Sequence, residues 1–417
     1  MPITAIRGFN DILPAEALFW RRIEETAWRV FSSYGFSEIK LPVAEKTALF
    51  SRSIGEATDI VEKEMYTFSD RSGESVTLRP EGTASVVRAY IEHKLYVAPV
   101  TRLYYTGPMF RYERPQKGRY RQFYQMGAEV LGEESPLADA ETISMLMRFF
   151  KAIGVIGARL NINSLGCSSC RPAYKDALRG FLKNRLSALC DNCQRRIEAN
   201  PLRALDCKST GCMEATANAP AIVESLCASC STHFDRLRSS LNDAGVEYAV
   251  NPRMVRGLDY YTKTTFEITA DTGLGSQNAV AAGGRYDGLV EELGGPATPC
   301  FGFAIGVERL SLLLGEDIVV KTPVNVFIAL GDAPARKGIE LIRGLRDKGI
   351  IVIEEFSEGQ LKNRMKRADR LGATHVLILG EDELRQGVVT IKDMASAAQE
   401  KVGFEELVDK LSTKGHD

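Results

Sequence analysis

The stretch that most constrains the fold is residues 107–131, which read GPMFRYERPQKGRYRQFYQMGAEVL. Both ends of this stretch are rich in aromatic and β-branched residues, which favour strands. Between them, Pro115 and Gly118 separate a group of basic side chains. Proline cannot donate to a strand ladder and glycine tolerates unusual φ values, so a loop is expected there. The pattern predicts a long antiparallel hairpin with a basic tip.

One face of this predicted hairpin has a composition that suits a ligand. Because side chains alternate between the two faces of a strand, the residues expected on one face are Met109, Arg111, Glu113, Arg121, Phe123, Gln125, Gly127 and Glu129. Arginine binds phosphate, aromatic rings stack on bases and carboxylates hold amines. The face therefore fits a ligand with a phosphate, a planar ring and an ammonium group. The alternative is a solvated surface face, since charged runs are common on surfaces.

Composition restricts the class of protein. A chain of 417 residues predicts two to four domains at roughly 100–200 residues per domain. With a net charge of −1, any binding of nucleic acid must come from local basic patches. No apolar run approaches the ~20 residues of a membrane span, and the first residues lack the apolar core of a secretory signal. We therefore expect a cytoplasmic protein with no membrane contact.

Three further segments combine structural signals with reactive residue types. Residues 14–34 show helical spacing of apolar side chains and lead into a short strand from Glu38 to Leu41. The sequence TLRPEGT at 77–83 precedes a helix, where a carboxylate is normally a cap. The sequence AAGGRYDGL at 281–289 predicts a glycine-rich turn before a helix, and FGFAIGVERL at 301–310 predicts a strand entering a helix.

Eight of the nine cysteines lie between residues 167 and 230, among helices predicted over 174–189 and 231–244. They form three C-x-x-C pairs and one looser pair, namely Cys167/Cys170, Cys190/Cys193, Cys227/Cys230 and Cys207/Cys212. This spacing suits tetrahedral zinc. One arrangement joins the two middle pairs, Cys190/Cys193 and Cys207/Cys212, and leaves the outer pairs as a second site. Other pairings, a single site, and thiols that only pack as small apolar groups are alternatives.

The zinc hypothesis carries an expectation about function. Four thiolates leave no open coordination position, so a bound zinc ion would be structural.

Beyond a linker at 321–324, strands and helices alternate. Strands are expected over residues 324–330, 350–354, 375–379 and 388–392. This alternation predicts a small α/β domain. One of its helices carries Lys362, Arg364, Lys366, Arg367 and Arg370. That helix either faces RNA or presents a solvated surface, and the sequence leaves both readings open.

The hairpin sequence FRYERPQKGRYRQFYQ closely resembles motif 2 of class II aminoacyl-tRNA synthetases, and specifically that of the histidyl enzymes. The 14–42 region resembles motif 1, which builds the dimer interface in the family. TLRPEGT matches the histidyl enzymes, RGLDYY at 256–261 and AAGGRYDGL match their two signatures, and residues 301–310 resemble motif 3. The C-terminal part resembles the anticodon-binding domain that the glycyl, prolyl, threonyl and histidyl enzymes share.

This resemblance implies an α/β (α+β) fold with an antiparallel-sheet catalytic domain, an inserted helical Cys-rich domain and a C-terminal α/β anticodon-binding domain. The expected divisions are residues 1–163 for the first catalytic part with motifs 1 and 2, 164–250 for the insertion, 251–320 for the second catalytic part, and 324–417 for the anticodon-binding domain. In the family the insertion leans on the acceptor stem of the tRNA. The resemblance therefore implies that removal of zinc from the insertion would impair aminoacylation of tRNA more than formation of the adenylate.

The implied activity is ATP-dependent ligation of L-histidine to tRNA(His) through a histidyl-adenylate, in a homodimer that uses ATP and Mg²⁺. One alternative is a non-enzymatic regulatory subunit of ATP phosphoribosyltransferase, a paralogue that generally lacks the anticodon domain and loses the signature arginines. Arg256, Arg285 and Arg309 are all present here. A second alternative, a synthetase for glycine, proline or threonine, is opposed by the segments at 256–261 and 282–289.

The resemblance also implies roles for individual side chains. Arg111 and Arg256 would hold the α-phosphate from opposite sides, and Arg256 would replace a magnesium ion used by other class II enzymes. Both are therefore catalytic candidates. The remaining residues implied for ATP are Glu113, Arg119, Phe123 and Arg309. Those implied for histidine are Glu81, Thr83, Gln125, Glu129, Tyr261 and Tyr286. Gln116 and Arg119 would meet the acceptor end of the tRNA.

Overall fold

The structure is a computed structural model that describes residues 2–55, 58, 60–258, 260–270, 278–314, 324–355 and 359–412. The chain divides into two compact units, Met1–Val319 and Val320–Asp417. The predicted linker at 321–324 lies outside the described residues except for Val324.

The first half of the first unit contains four helices and seven strands among its described residues. The helices are α1 (Pro14–Ser33), α2 (Thr47–Ile54), α3 (Thr83–Glu92) and α4 (Pro136–Ile153). The strands are β1 (Ser37–Glu38), β2 (Ala44–Lys46), β3 (Tyr66–Ser69), β4 (Ser75–Leu78), β5 (Thr101–Phe110), β6 (Gln122–Leu131) and β7 (Ala158–Ser164). A π-helical turn at Ile60–Glu64 and a 3₁₀ turn at Leu95–Val97 complete this part.

Helix α1 confirms the helix predicted from the apolar spacing. Pro14 provides a fixed φ at the first helical position, and Ile23, Ala27 and Phe31 are buried on one side of the helix. The strand that follows is shorter than predicted. Only Ser37 and Glu38 pair with β5, so the expected strand from Glu38 to Leu41 ends early.

The long hairpin is confirmed. Strands β5 and β6 pair antiparallel from Thr101 opposite Leu131 to Phe110 opposite Gln122. Residues 111–121 form the loop at its tip. Within that loop, Gln116 and Arg119 exchange backbone hydrogen bonds of 3.0 and 2.9 Å. Gly118 lies between them with a φ of +72°, a value that glycine adopts without strain.

The second half of the first unit begins with the cysteine-rich segment. Its helices are α5 (Arg171–Lys183), α6 (Asp191–Ala199), α7 (Thr210–Ala215) and α8 (Ala228–Asp243), followed by strand β8 (Ala249–Val250). Short 3₁₀ turns lie at Leu186–Ala188, Pro201–Ala204 and Ile222–Ser225. The remaining elements are β9 (Thr262–Ala270), β10 (Ala279–Arg285), α9 (Leu289–Glu292), β11 (Cys300–Gly306) and α10 (Val307–Leu314).

Two details of this half differ from the predictions. The helix expected over 174–189 ends at Lys183, where a 3₁₀ turn takes over. The glycine-rich turn predicted within 281–289 is confined to Asp287 and Gly288, directly before α9, whereas Gly283 and Gly284 lie inside strand β10. A Cβ atom at Gly283 would stand 2.2 Å from the carbonyl oxygen of Gly302 on the neighbouring strand. Glycine is needed there because the two strands pack closely. In the sequence alone, a glycine of this kind looks the same as a glycine in a turn.

A mixed sheet organises the first unit. In the described residues its strand order is β1-β5-β6-β11-β10-β9-β7-β8. The strands from β5 to β7 pair antiparallel, and the short edge strands β1 and β8 pair parallel with their neighbours. Helices α1, α4 and α8 contribute Phe31, Phe149 and Leu237 to the apolar core over one face. A smaller sheet has the order β2-β4-β3.

The second unit is a small α/β domain. Its strands are β12 (Asn325–Ala329), β13 (Val352–Glu355), β14 (His375–Leu379), β15 (Val388–Asp393) and β16 (Gln399–Gly403). Its helices are α11 (Asp332–Asp347), α12 (Leu361–Arg370), α13 (Glu381–Gln386) and α14 (Leu407–Ser412). The strand order β13-β12-β14-β15-β16 is parallel around β12 and antiparallel beyond β14. The sequence had predicted four of these strands, and had indicated neither β16 nor α13.

Together the units confirm the predicted fold class, an antiparallel-sheet domain with a helical cysteine-rich segment and a C-terminal α/β domain. In the part of the chain that the structure describes, none of the helices has the length and apolar character that a bilayer crossing requires.

Candidate active site

An open cavity of about 720 Å³ lies in the first unit, beside the hairpin. Its walls come from the hairpin, the start of α3, strands β9 to β11, the start of α10 and the loop at 251–258. The predicted site residues that line it are Glu81, Thr83, Arg111, Glu113, Arg119, Phe123, Gln125, Arg256, Tyr261 and Arg309. Glu129 and Tyr286 lie behind this wall, and Gln116 lies in the turn at the hairpin tip.

Glu81 acts as a helix cap inside the cavity wall. Its carboxylate accepts hydrogen bonds of 2.7 Å from the backbone N–H of Thr83 and 2.8 Å from that of Ala84, at the start of α3. Burial raises the pKa of Glu81, and these backbone hydrogen bonds oppose the rise. The structural role expected of a carboxylate at a helix N-terminus is therefore present. Because Glu81 also lines the cavity, capping and ligand binding are compatible.

Glu129 is a fully buried carboxyl group that, unlike Glu81, does not line the cavity. It accepts hydrogen bonds of 2.7 Å from the Thr83 hydroxyl and 2.6 Å from the Tyr286 hydroxyl. Burial raises the pKa of Glu129 to about 8, although both hydrogen bonds oppose the rise. A Cβ atom at Gly302 would stand 1.6 Å from Oε2 of Glu129. Glycine at position 302 therefore makes room for this carboxyl group.

Next to these carboxyl groups, the cavity offers an unsatisfied acceptor and flat aromatic walls. The Oε1 atom of Gln125 is buried and accepts no hydrogen bond from the residues that the structure describes. The rings of Tyr260 and Tyr261 lie 4.7 Å apart, and those of Tyr260 and Tyr286 lie 5.7 Å apart. A buried acceptor without a partner is costly unless a ligand satisfies it. This end of the cavity therefore suits a small ligand that carries an ammonium group and a planar ring.

The other end of the cavity is basic. Arg119 forms an ion pair with Glu113, and the Arg111 guanidinium lies 5.2 Å from the centre of the Phe123 ring. Arg111 also donates a 2.9 Å hydrogen bond to the carbonyl of Pro80, the residue next to Glu81. Arg111 therefore connects the two ends of the cavity.

Two arginines from distant parts of the chain complete the basic lining. Arg256 lies with its guanidinium 5.6 Å from the centre of the Tyr261 ring and 3.6 Å from Glu267. Its Nε atom is buried and donates no hydrogen bond to a described residue. Arg309 donates to the carbonyls of Gly118 at 3.2 Å and Ala279 at 2.9 Å, which joins α10 to the hairpin tip.

Sequence reasoning missed several residues of the cavity. Glu308 lines it and accepts a 2.9 Å hydrogen bond from the backbone N–H of Tyr124, and burial raises its pKa to about 7. Tyr260, Lys208 and Arg253 also line it. For Glu308 and Tyr260 a signal existed, since each is a polar neighbour of a residue that was already a candidate. Lys208 and Arg253 reach the cavity only through tertiary packing.

Arg285, which the sequence analysis counted among the signature arginines, does not line the cavity. It is completely buried, and its guanidinium donates a 3.0 Å hydrogen bond from Nε to Asp139 on α4 and forms an ion pair with the other carboxylate oxygen at 2.8 Å. It also donates to the backbone carbonyls of Glu133 and Ser135. In the structure Arg285 fixes β10 to α4.

The eight clustered cysteines form two groups of four. The first cysteine cluster contains Cys167, Cys170, Cys227 and Cys230, and the second contains Cys190, Cys193, Cys207 and Cys212. Within each cluster all sulfurs lie within 4.8 Å of one another. A tetrahedral ion with Zn–S bonds of about 2.3 Å would hold its sulfurs roughly 3.8 Å apart. Sulfur separations in the first cluster include 3.6, 3.8 and 3.9 Å, so the thiols fit such an ion.

Comparison with known proteins identifies the family. The family model described as histidyl-tRNA synthetase matches residues 8–310, and that of an anticodon binding domain matches residues 326–414. The histidine–tRNA ligase of Trichlorobacter lovleyi is 58% identical over 408 residues, 97% of each chain. That of Geobacter sulfurreducens is 57% identical over 402 residues, 96% of this chain and 97% of that one.

A solved structure supports the same family. The crystal structure of apo S. aureus histidyl-tRNA synthetase is 36% identical, with a TM-score of 0.82, over 98% of this chain and 100% of that one. The chain therefore belongs to the histidyl-tRNA synthetase family.

Proposed function

We propose that this chain ligates L-histidine to tRNA(His) in two steps, with histidyl-adenylate as the intermediate. The observation that carries the proposal is the position of Arg111, which contacts both the base-stacking residue Phe123 and the carboxylate end of the cavity. A guanidinium at this position would contact the α-phosphate of ATP where it meets the histidine carboxylate. The regulatory-subunit alternative is not favoured, because the relatives at 57–58% identity are named histidine–tRNA ligases.

Histidine would bind at the carboxylate end. Its ammonium group would meet Glu81 and Gln125, with the Thr83 hydroxyl beside them and the Glu129 carboxyl group behind that hydroxyl, because this end combines buried carboxyl groups with the unsatisfied Oε1 of Gln125. The imidazole would lie against Tyr261, and Tyr286 would orient Glu129 through its 2.6 Å hydrogen bond. Ionised carboxylates hold an ammonium group well in a buried site because charge-assisted hydrogen bonds are stronger there.

ATP would bind at the basic end with magnesium as its counterion. Its adenine would stack on Phe123 near Glu113, and its phosphates would meet Arg111, Arg119, Arg256 and Arg309. In the first step, an oxygen of the histidine carboxylate attacks the α-phosphorus, and pyrophosphate leaves with the electrons of the broken P–O bond. Both reactants are anions, so catalysis consists mainly of positioning and charge neutralisation.

In the second step, a terminal ribose hydroxyl of the tRNA attacks the acyl carbon, and AMP leaves. Gln116 and Arg119 at the hairpin tip would meet the acceptor end. The second unit would bind the anticodon region through α12. Support comes from Lys362, Lys366 and Arg370, which are exposed, whereas Arg364 and Arg367 on the same helix pair with Glu355.

The proposed working form is a homodimer joined through the Phe19–Pro42 region. The outer side of α1 supports this, because Leu18 and Trp28 remain 43% and 61% exposed although neighbouring apolar residues of the helix are buried. Large exposed apolar side chains mark contact surfaces when they lie together. A second copy of the chain is the occupant that the motif 1 resemblance implies.

We also propose that each cysteine cluster holds one structural zinc ion. The cytoplasm is the proposed compartment, where reducing conditions keep the thiols available as ligands. Two backbone N–H groups already point at sulfur, that of Cys167 at Cys170 and that of Cys190 at Cys212, both at 3.1 Å. Such bonds stabilise thiolates and orient them around a metal.

One assay tests the activity directly. Exchange of labelled pyrophosphate into ATP should depend on histidine and stay at background with glycine, proline or threonine. Charging of tRNA(His) should follow with the same amino-acid preference. Absence of histidine-dependent exchange in a folded protein supplied with magnesium would reject the proposed function.

A further inference from the structure

The first cysteine cluster lies where the inserted segment leaves the large sheet. Cys167 and Cys170 follow the end of β7, and Cys227 and Cys230 stand at the start of α8. Their sulfurs approach across the two segments, with 3.9 Å between Cys167 and Cys227 and 3.8 Å between Cys170 and Cys230. A metal ion here would join two segments that are 60 residues apart in the chain.

The segment that carries Cys170 is hydrogen-bonded to the backbone of the proposed histidine pocket. The residue after Cys170, Arg171, donates from Nη2 to the carbonyl of Tyr261 at 2.5 Å and from Nε to that of Leu165 at 3.3 Å. The amide of Leu165 donates to the carbonyl of Lys263 at 2.7 Å, and the amide of Lys263 donates to Gly166 at 2.8 Å. The segment between β7 and α5 therefore holds the backbone at Tyr261 and Lys263, from which the Tyr261 side chain extends.

The helix that carries Cys230 makes no comparable hydrogen bond toward the pocket among the described residues. One turn beyond Cys230, His233 lies with Nε2 3.7 Å from a carboxylate oxygen of Asp139, a separation too long for a hydrogen bond. The hydrogen-bonded connection from the first cluster to the proposed histidine pocket therefore runs through Arg171.

The second cysteine cluster contacts a different part of the cavity. Cys207 and the flanking residues Asp206 and Lys208 line the rim of the cavity. Arg203, in the turn before Cys207, donates to the carbonyl of Gly257 at 2.5 Å. These contacts reach the loop that carries Arg256.

We propose that the metal ion of the first cysteine cluster stabilises the conformation of the histidine pocket that binds histidine. Arg171 is the positioning residue, because it connects the segment of Cys167 and Cys170 to Tyr261. The inference rests on the proposed zinc and histidine sites. For the first cluster, this proposal differs from the expectation drawn from the sequence, which was that loss of metal would mainly affect the charging of tRNA. The effect should appear in the affinity for histidine before any tRNA is present.

The decisive experiment measures histidine binding by calorimetry together with the zinc content of the full-length protein. Arg171→Met should retain zinc in both clusters and bind histidine about tenfold more weakly, because groups that orient a site typically contribute this much. Arg171→Lys should recover part of the affinity. Arg185→Met is the matched control, since Arg185 is exposed on the same inserted segment and donates to the carbonyl of Phe181. It should bind histidine as the unchanged protein does.

Two cysteine variants separate the clusters. Cys230→Ser should lose one zinc ion per chain and weaken histidine binding at least tenfold, whereas Cys193→Ser should lose one zinc ion and change the histidine Kd less than threefold. Retention of secondary structure by circular dichroism shows that each variant is folded. The proposal is overturned if Arg171→Met binds histidine within twofold of the unchanged protein, if both cysteine variants weaken binding equally, or if the unchanged protein carries no zinc. A protein that binds zinc but not histidine would instead reject the proposed function.

Discussion

Tyr286 donates a 2.6 Å hydrogen bond to Glu129, and both side chains are almost completely buried. Burial raises the pKa of Glu129 to about 8, so near neutral pH the carboxyl group is mostly protonated in the protein without ligand. An ammonium group from histidine would favour the ionised form. Binding of the amino acid is therefore expected to release a proton.

The first prediction follows from that coupling. At pH 7, histidine binding should release most of one proton, because burial raises the pKa of Glu129 to about 8 and the carboxyl group becomes ionised in the complex. Calorimetry in buffers with different ionisation enthalpies measures the release. In Glu129→Gln the part of the release that comes from Glu129 should be lost, and the affinity should fall roughly 10–100-fold, as for loss of a hydrogen bond to a charged group. Equal proton release by both proteins would contradict the assignment of Glu129.

The same pKa affects stability with a defined sign. The folded-state pKa of Glu129 lies above the ordinary value of 4.5, so the folded protein holds a proton that the unfolded chain has lost. The stability contributed by this group is complete below pH 4.5 and is lost as pH rises through about 8. Glu129→Gln should therefore show a smaller decline in the free energy of unfolding between pH 5 and 8.

Arg256 is predicted to act mainly on adenylate formation. Arg256→Ala should slow histidine-dependent pyrophosphate exchange roughly 10²–10³-fold, by analogy with removal of a donor that stabilises a transition state. Supplied histidyl-adenylate should restore transfer to tRNA. Arg238→Ala, on an exposed side of α8, is the matched control and should leave exchange unchanged. Exchange by Arg256→Ala within threefold of the unchanged protein would disprove this role.

Arg285 is predicted to contribute to stability through its buried ion pair with Asp139. Burial raises the pKa of Asp139 to about 6, and the guanidinium opposes the rise. Arg285→Met leaves this carboxyl group without its partner, so the free energy of unfolding should fall by about 3–5 kcal/mol. The double variant Arg285→Met/Asp139→Asn should lose less than the sum of the single losses. Strictly additive losses, measured by denaturant titration, would rule out the coupling.

The contrast between Arg285 and Arg111 shows what the sequence predicted and what it did not. Alternation along the hairpin was enough to group Arg111, Phe123 and Gln125, because pleat geometry alone determines which side chains share a face. The same local reasoning could not distinguish Arg285 from a ligand-binding arginine. Its partner Asp139 lies 146 residues away on α4, and only tertiary packing brings the two together.

The two adjacent glycines of β10 illustrate a second limit. Glycine pairs usually indicate turns, and nothing local indicates that Gly283 faces the backbone of Gly302 across a strand pair. The cysteine clusters were more predictable. C-x-x-C spacing brings two thiols together locally, and the pairing of residues 167–170 with 227–230 was one of the arrangements that the sequence left open.

The exposed side of α1 is predicted to form the dimer interface. Light scattering of the unchanged protein at micromolar concentration should report about 92 kDa, twice the chain mass of 46.0 kDa. Trp28→Asp should weaken association roughly 30-fold or more, as expected when a central aromatic residue is removed. Trp28→Phe should keep most of the association. A mass near 46 kDa for the unchanged protein would contradict the proposed dimer.

The last prediction concerns the space that Gly302 leaves for Glu129. In Gly302→Ala the added Cβ would stand 1.6 Å from Oε2 of Glu129 and 2.8 Å from the carbonyl oxygen of Ala128. The closest clash is with the end of the Glu129 side chain, so the Glu129 carboxyl group must move, and its hydrogen bonds with Thr83 and Tyr286 should break.

Histidine binding by Gly302→Ala should therefore fall at least as far as in Glu129→Gln, while binding of ATP alone should change much less. The control is Gly288→Ala, where an added Cβ meets no described atom within 4 Å. That variant should bind both substrates normally. If Gly302→Ala is folded and binds histidine as tightly as the Gly288→Ala control, Glu129 is not held in the position on which the proposed ammonium site depends.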